Sequence, residues 1–383
     1  MNVVLVAPFG LAPKGTVSRR MLPLASALAR GSPYRVTAVV PSWDHSTEAG
    51  RVWMDGGARV VHVPLHGGAP GTLAALLRTT LAQQPAVVHG FKPKGYSGLV
   101  LWFMWQARRL GLWHGRLVID TDDWETGWNT RLAYPAPLAA FFAWQETWCL
   151  RQADGVTAAS RWLVRLATEL RGSSRHVRHV PNGLNVGQPA GSPTFVPPHP
   201  PTALLYTRFV EVTPQRVHRT WLRVRQLLPT ARLIVAGDSL TGGQAAELAA
   251  RAGPSSGLHC LGWAPAAALP GVLAAADVAW APSATTPLAR ARCSVKLLEL
   301  MHAGLPVVAD AEGEVLTYVR QGVEGILVRP DDDQATAQAL VSLLTDRPRA
   351  AAYGQHAATR VRREFTWDRL APPVARFYQE LSQ

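Results

Sequence analysis

Residues 294–310 read Ser-Val-Lys-Leu-Leu-Glu-Leu-Met-His-Ala-Gly-Leu-Pro-Val-Val-Ala-Asp. Ser294 is a good helix N-cap, and Val295, Leu297, Leu298, Leu300 and Met301 give the turns that follow an apolar side. Gly304 ends the helix and Pro306 opens a short Val-rich strand over 306–309. A helix leading into a short, wholly apolar strand is the repeating unit of a parallel, doubly wound sheet. Lys296 and Glu299 lie three apart and share one face of the helix. The loop before it carries Arg290 and Arg292, which places cations at a helix N-terminus. That arrangement suits a phosphate group, with a carboxylate one turn in to hold a sugar hydroxyl.

The same alternation runs outward in both directions. Strands are expected over 3–7, 35–40, 59–63, 86–89, 117–121 and 155–159, and again over 203–209, 233–236, 259–262, 278–281, 306–309 and 325–328. Amphipathic helical patterns separate them. Residues 187–202 are proline-rich and read as a stiff linker. The acidic turn Asp331-Asp332-Asp333 reads as a helix N-terminal cap. The division expected is a first domain over 1–186, the linker, a second domain over 203–360, and a helix over 361–383 returning to the first domain.

Bulk properties narrow the class. A chain of 383 residues with 48% hydrophobic content is long enough for two cores. It has no run of 18 apolar residues, so no membrane-spanning helix is expected. Its first residues, Met-Asn-Val-Val-Leu-Val, read as a strand and not as a signal peptide. Cys149, Cys260 and Cys293 show neither pairing nor metal spacing, which fits a reducing cytoplasm. The net charge of +13 is uneven: residues 1–190 carry 20 Lys and Arg against 10 Asp and Glu, while residues 191–383 carry 19 against 16. A basic first half suggests an anionic partner, such as a membrane surface or a diphosphate-bearing acceptor. The loop over 8–20 lacks the GxGxxG fingerprint, so dinucleotide binding is not expected. The tryptophans do not interleave with basic residues in any nucleic-acid module.

The 294–310 block resembles the nucleotide-sugar site of retaining GT-B glycosyltransferases of family 4, with its K-L-x-E-x-M-A-x-G-x-P-V-V-A motif. Three further segments match in order. Val180-Pro181-Asn182-Gly183-Leu184-Asn185 is similar to the family's I-P-N-G-V-D, Val156 to Ser160 to its V-T-V-A-S, and Leu205 to Phe209 to the segment holding its G-R-L. The resemblance implies an α/β GT-B fold of two Rossmann-like doubly wound domains facing a central cleft. It implies transfer of a sugar from an NDP-sugar to a glycan or lipid-linked acceptor in cell-envelope or polysaccharide synthesis. No cofactor beyond the nucleotide sugar and no metal is expected. Two departures keep other readings open. The first Glu of the family's Glu-x7-Glu motif is Ala291, and the Lys five residues after Arg208 is Thr213. A catalytically inactive binding or scaffold protein and a nucleotide-sugar epimerase are the alternatives.

The resemblance also assigns roles. Arg208 is expected at the diphosphate, with Lys296 supplying the charge missing at Thr213, and Glu299 is expected on the ribose. Thr286 and Arg292 flank the donor. Gly262 lets the backbone approach the base, and Trp263 either stacks on it or packs between domains. Gly15 and Thr16 either present N–H groups to the donor phosphate or form a plain turn. In the first half, His89, Lys92 and Lys94 are the acceptor-side candidates. Asp122 or Asp123, at a strand's carboxyl end, either accepts the acceptor hydroxyl proton or caps a loop. Trp102 and Trp105, with Arg108 and Arg109, read as either a peripheral membrane contact or a core helix with a basic end.

Overall fold

The computed structural model describes residues 1–11, 15–185 and 199–383. Met1–Asn185, Ala291–Cys293 and Phe365–Gln383 form one compact unit, and Val186–Arg290 with Ser294–Glu364 form a second. Most of the proline-rich stretch read as a linker lies outside the described residues.

The first unit is built on eight strands: β1 (Asn2–Val6), β2 (Arg35–Val40), β3 (Val52–Asp55), β4 (Ala58–His62), β5 (Val87–Phe91), β6 (Arg116–Thr121), β7 (Gly155–Ala158) and β8 (Val177–His179). Their order is β3-β4-β2-β1-β5-β6-β7-β8. Every pairing is parallel except β3–β4, a hairpin turning on Gly56 and Gly57 at φ 54° and 90°. Such a Gly-Gly pair supplies the positive φ angles of a two-residue hairpin turn. Helices cover both faces, so the inner strands are apolar on both sides. On one face Leu5 and Val36 pack with Leu24 and Leu28 of the helix Leu22–Gly31 and with Val374 and Phe377 of the helix Trp367–Ser382. On the other, Val88 and Ile119 meet Leu101 and Met104 of the helix Tyr96–Arg109 and Cys149 of the helix Ala136–Gln152.

The second unit has six parallel strands: β9 (Thr202–Tyr206), β10 (Arg232–Ala236), β11 (Leu258–Gly262), β12 (Val278–Ala281), β13 (Val307–Asp310) and β14 (Gly325–Val328). Their order is β11-β10-β9-β12-β13-β14. β9 stops at Tyr206, three residues short of the expected 209, because Phe209 turns the chain at φ 52°. The helix Val295–His302 begins at Ser294, whose Oγ accepts from the Leu297 N–H at 3.3 Å, as its sequence requires. The acidic turn divides its work. Asp332 caps the helix Asp333–Thr345 by accepting from the Ala335 N–H at 2.8 Å, while Asp333 accepts from Arg216 at 3.3 Å. Arg216 also grips buried Asp310 with two hydrogen bonds of 2.7 and 2.9 Å, and Asp310 accepts from the Ser283 N–H at 2.7 Å. One guanidinium thus ties together the chain leaving β12 and β13.

In both sheets the strand order reverses, between β1 and β5 in the first and between β9 and β12 in the second. Open α/β sheets bind ligands outside the carboxyl ends of the strands at such a switch point. The segments after β1, β5, β6, β9 and β12 are therefore where site chemistry belongs.

Candidate functional site

At the first switch point the helical run after β1 opens with six residues of π-helix, Thr16–Met21. Gly15 precedes it. Thr16 and Arg20 stand four apart and both reach the end of β6. Thr16 Oγ1 donates to Asp122 Oδ2 at 2.7 Å, so this hydroxyl serves a carboxylate. Lys92, just beyond β5 and held at φ 64°, places Nζ 3.2 Å from Asp122, 3.6 Å from Asp123 and 3.0 Å from Glu125. Lys94 reaches the other Glu125 oxygen at 3.1 Å and lies over the rings of Tyr134 and Phe142 at 4.7 and 4.5 Å. Lys92 and Lys94, expected on the acceptor side, thus face three carboxylates of the loop after β6.

Burial opposes ionisation at both central carboxyls, but the balance differs. At Asp122, Lys92, Thr16 and Arg20 outweigh burial and the carboxyl titrates below its ordinary value. At Asp123 burial prevails over Lys92, and the Asp122 charge pushes further, so its carboxyl titrates above the ordinary range. Two adjacent carboxylates with values driven apart are the arrangement in which one stays ionised and the other exchanges protons. Both loops are pinned from one helix. Gln145 accepts from the Gly95 N–H at 2.8 Å and donates to its carbonyl at 3.0 Å. Glu146 accepts from the N–H groups of Glu125 and Thr126 at 2.9 and 2.8 Å.

Beneath this edge lies a buried polar chain. Arg20 donates to both Asp120 oxygens at 2.7 Å, to the Val180 carbonyl at 2.9 Å and to Asn182 Oδ1 at 3.1 Å. Asn182 Nδ2 in turn donates to the Cys293 carbonyl at 2.7 Å. The Pro-Asn-Gly segment is thus a structural joint, and at Gly183 a Cβ would meet Leu370 at 2.8 Å. Thr157 Oγ1 donates to Asp120 Oδ2 at 2.6 Å and so must accept from His89 Nε2 at 3.2 Å. This assigns the proton to Nε2 and leaves Nδ1 to accept from the Tyr378 hydroxyl at 2.6 Å. His89 is 0% exposed. Its expected acceptor role is corrected: it faces the last helix inside the core of the unit, not the ligand edge.

Burial, with the charge of Arg20 adding to it, lowers the His89 pKa from 6.5 to about 3. The unfolded chain therefore binds this proton first as pH falls. The stability due to neutral His89 is complete above the unfolded value of 6.5 and is lost between there and about 3, at up to about 1.4 kcal/mol per pH unit. His89→Gln should flatten the acid limb of stability in that window. The test is the urea midpoint as a function of pH; an equally steep limb in the variant would refute the assignment.

At the second switch point Arg208 follows β9 and is exposed, its guanidinium 5.9 Å from the ring centre of Trp263. Trp263, 54% exposed, follows Gly262, which ends β11 at φ 62° with open space on the side a Cβ would occupy. Thr213, at the family's Lys position, caps the helix Pro214–Leu227 by accepting from the Arg216 N–H at 3.3 Å. Lys296 Nζ lies 3.2 Å from Glu211 and 5.6 Å from the ring centre of Tyr206. Glu299 sits half-buried on the same helix. Thr286, exposed, accepts from the Ala289 N–H at 3.2 Å and so starts the turn Pro287–Ala291. Arg290 pairs with Glu312 at 2.9 Å, and Arg292 is half-buried and close enough to Asp123 to act on its titration.

The two halves match family models separately: residues 15–183 a Glycosyl transferase 4-like domain, and residues 203–346 the Glycosyl transferases group 1. The chain belongs to the GT-B glycosyltransferases of this group. The phosphatidyl-myo-inositol mannosyltransferase of Mycobacterium leprae is 25% identical over 396 residues, covering all of this chain and 97% of that protein. The D-inositol 3-phosphate glycosyltransferase of Corynebacterium urealyticum is 33% identical over 135 residues, 35% of this chain. The match spans 30% of that relative's length. The solved structure of Anabaena Alr3699/HepE in complex with UDP-glucose superposes with a TM-score of 0.65 at 16% identity, covering 99% of both chains.

In this glycosyltransferase the position of the family's first motif Glu is filled differently. Ala291 is fully buried and packs with Ala158 and Leu163, with Trp124 and Trp162 alongside. A carboxylate there would be desolvated among apolar groups, so the substitution belongs with its surroundings. Sequence reading missed Arg20, Asp120, Gln145 and Glu146. Arg20 had a signal, an Arg directly before an apolar helix. The partners of the other three lie many residues away and left none.

Proposed function

We propose that this glycosyltransferase is a retaining enzyme that moves a sugar from a nucleoside-diphosphate sugar to a lipid-linked hydroxyl acceptor. The observation that carries the donor half is Arg208, an exposed guanidinium at the switch point of β9 beside the open Gly262-Trp263 shelf. Arg208 would take up charge on the departing diphosphate, Trp263 would stack on the base, and Glu299 would accept from a ribose hydroxyl. The UDP-glucose held by the Anabaena protein of the same fold supports a nucleotide-sugar donor. On the acceptor side Asp123, whose pKa is raised, would take the hydroxyl proton as the oxygen bonds to the anomeric carbon. The phosphatidyl-myo-inositol in the name of the mycobacterial relative supports a lipid-borne acceptor.

A second reading, a catalytically silent scaffold, is favoured by Ala291 and by Thr213. A panel of NDP-sugars separates the two. Slow hydrolysis of one donor, followed by mass spectrometry of the released nucleotide, is expected of the enzyme; binding without turnover of any donor would leave the scaffold. Glu299→Gln should weaken nucleoside-diphosphate binding by about 1.5–3 kcal/mol, the loss of a charge-assisted hydrogen bond. Calorimetric titration measures it, and unchanged affinity would remove Glu299 from the site.

A further inference from the structure

Residues 132–144 read Leu-Ala-Tyr-Pro-Ala-Pro-Leu-Ala-Ala-Phe-Phe-Ala-Trp, thirteen residues without a charge. None of them is buried: Leu132, Leu138 and Trp144 are 43%, 39% and 44% exposed. An apolar run of this length is ordinarily a core helix or an interfacial segment, and its exposure rules out the core. Ring contacts make the surface continuous. Trp105 meets Trp148, Trp148 meets Trp144, Trp144 stacks on Phe141, Phe141 meets Phe142, and Phe142 meets Tyr134. Arg109 lies over Trp105 at one end, and Lys94 lies over Tyr134 and Phe142 at the other. Because Lys94 also holds Glu125, the path ends on the acidic loop.

We propose that residues 132–144 are an interfacial seat that enters the headgroup layer of a lipid bilayer. The composition fits a bilayer better than a protein or a glycan. Within the run only the Tyr134 hydroxyl and the Trp144 indole N–H can hydrogen-bond through a side chain, whereas protein interfaces carry roughly one hydrogen bond per 100–200 Å² and a sugar demands more. Trp and Tyr are the side chains that settle at a membrane–water boundary. The exposed charges flanking the run, Arg109, Arg131 and Arg151, are all positive, which suits an anionic leaflet and disfavours a second copy. Of the two cations expected from sequence at such a contact, Arg108 pairs with Asp154 and Arg109 lies over Trp105. Apolar insertion, not electrostatics, therefore dominates. Among the described residues no helix is long and apolar enough to cross a membrane, so the seat lies on the bilayer. It rests on the lipid-linked acceptor reading only for its purpose, bringing the acidic loop to headgroup level.

Flotation of the full chain with phosphatidylcholine vesicles, with and without phosphatidylglycerol, tests it at low and high salt. The protein should float with both compositions, more with the anionic one, and stay bound at high salt, because insertion is not screened. Leu138→Ser combined with Trp144→Ser should weaken vesicle binding about tenfold or more, with unchanged melting temperature and nucleoside-diphosphate affinity. The seat is overturned if the wild type stays unfloated with both vesicles, if high salt releases it completely, or if the double variant floats like the wild type. It is equally overturned if sedimentation shows a dimer that the double variant abolishes. If vesicles bind but a soluble acceptor is glycosylated better than a lipid-borne one, the seat stands and the acceptor reading falls.

Discussion

Arg20→Ala should destabilise the chain by about 3–5 kcal/mol, the cost of leaving a buried charge without its partner. The Asp120 carboxylate is 0% exposed and takes two hydrogen bonds from this guanidinium. The Val180 carbonyl and Asn182 would lose donors as well. The melting temperature should fall by roughly 10 °C. Adding Asp120→Asn should recover part of the loss, because the uncompensated charge disappears even though the joint remains broken. Thermal unfolding followed by tryptophan fluorescence gives the answer. A melting temperature within error of the wild type for Arg20→Ala would show that the pair is not what holds the β6 edge to the Pro-Asn-Gly segment.

Arg208→Ala should lower kcat by about 10²–10³ while KM changes little, since diphosphate charge grows toward the transition state and its stabilisation is selective for that state. The residue is exposed and its ring partner Trp263 is half-exposed, so the fold should be untouched. Steady-state kinetics with the donor found in the panel decide the point. A pure rise in KM would make Arg208 a ground-state anchor, and full activity would remove it from the chemistry.

Where local pattern and tertiary demand agree, the chain could be read directly. The twelve strands expected all exist; ten of them are inner strands of a covered parallel sheet, which must be apolar. The Ser294 cap and the Gly304 stop follow from their own neighbours. The two strands missed, β3 and β8, lie at sheet edges, where polar and charged residues interrupt the pattern; only Gly56-Gly57 announced the first. The site was legible to the depth of position along the chain. Asp122, Asp123 and Arg208 stand at strand ends, and that placement is local information. Partners were not. His89 looks like a strand-end ligand until Tyr378, 289 residues away, takes its ring nitrogen. Lys296 shares a helix face with Glu299, but its contact with Glu211, on another segment, leaves no local trace. The unburied run 132–144 is invisible as such in sequence, because apolar residues alone do not say whether anything covers them.

The helix Trp367–Ser382 contributes Trp367, Val374, Phe377 and Tyr378 to the core that also holds β1 and β2. In the order of synthesis this helix follows every strand of both sheets. Translation at about 5–20 residues per second leaves the first sheet waiting tens of seconds for the helix that covers it. Over that interval the six strands of the second unit emerge in turn, while the first unit presents an open apolar face. A nonsense codon at Trp367 would therefore uncover the core of the half of the protein made first.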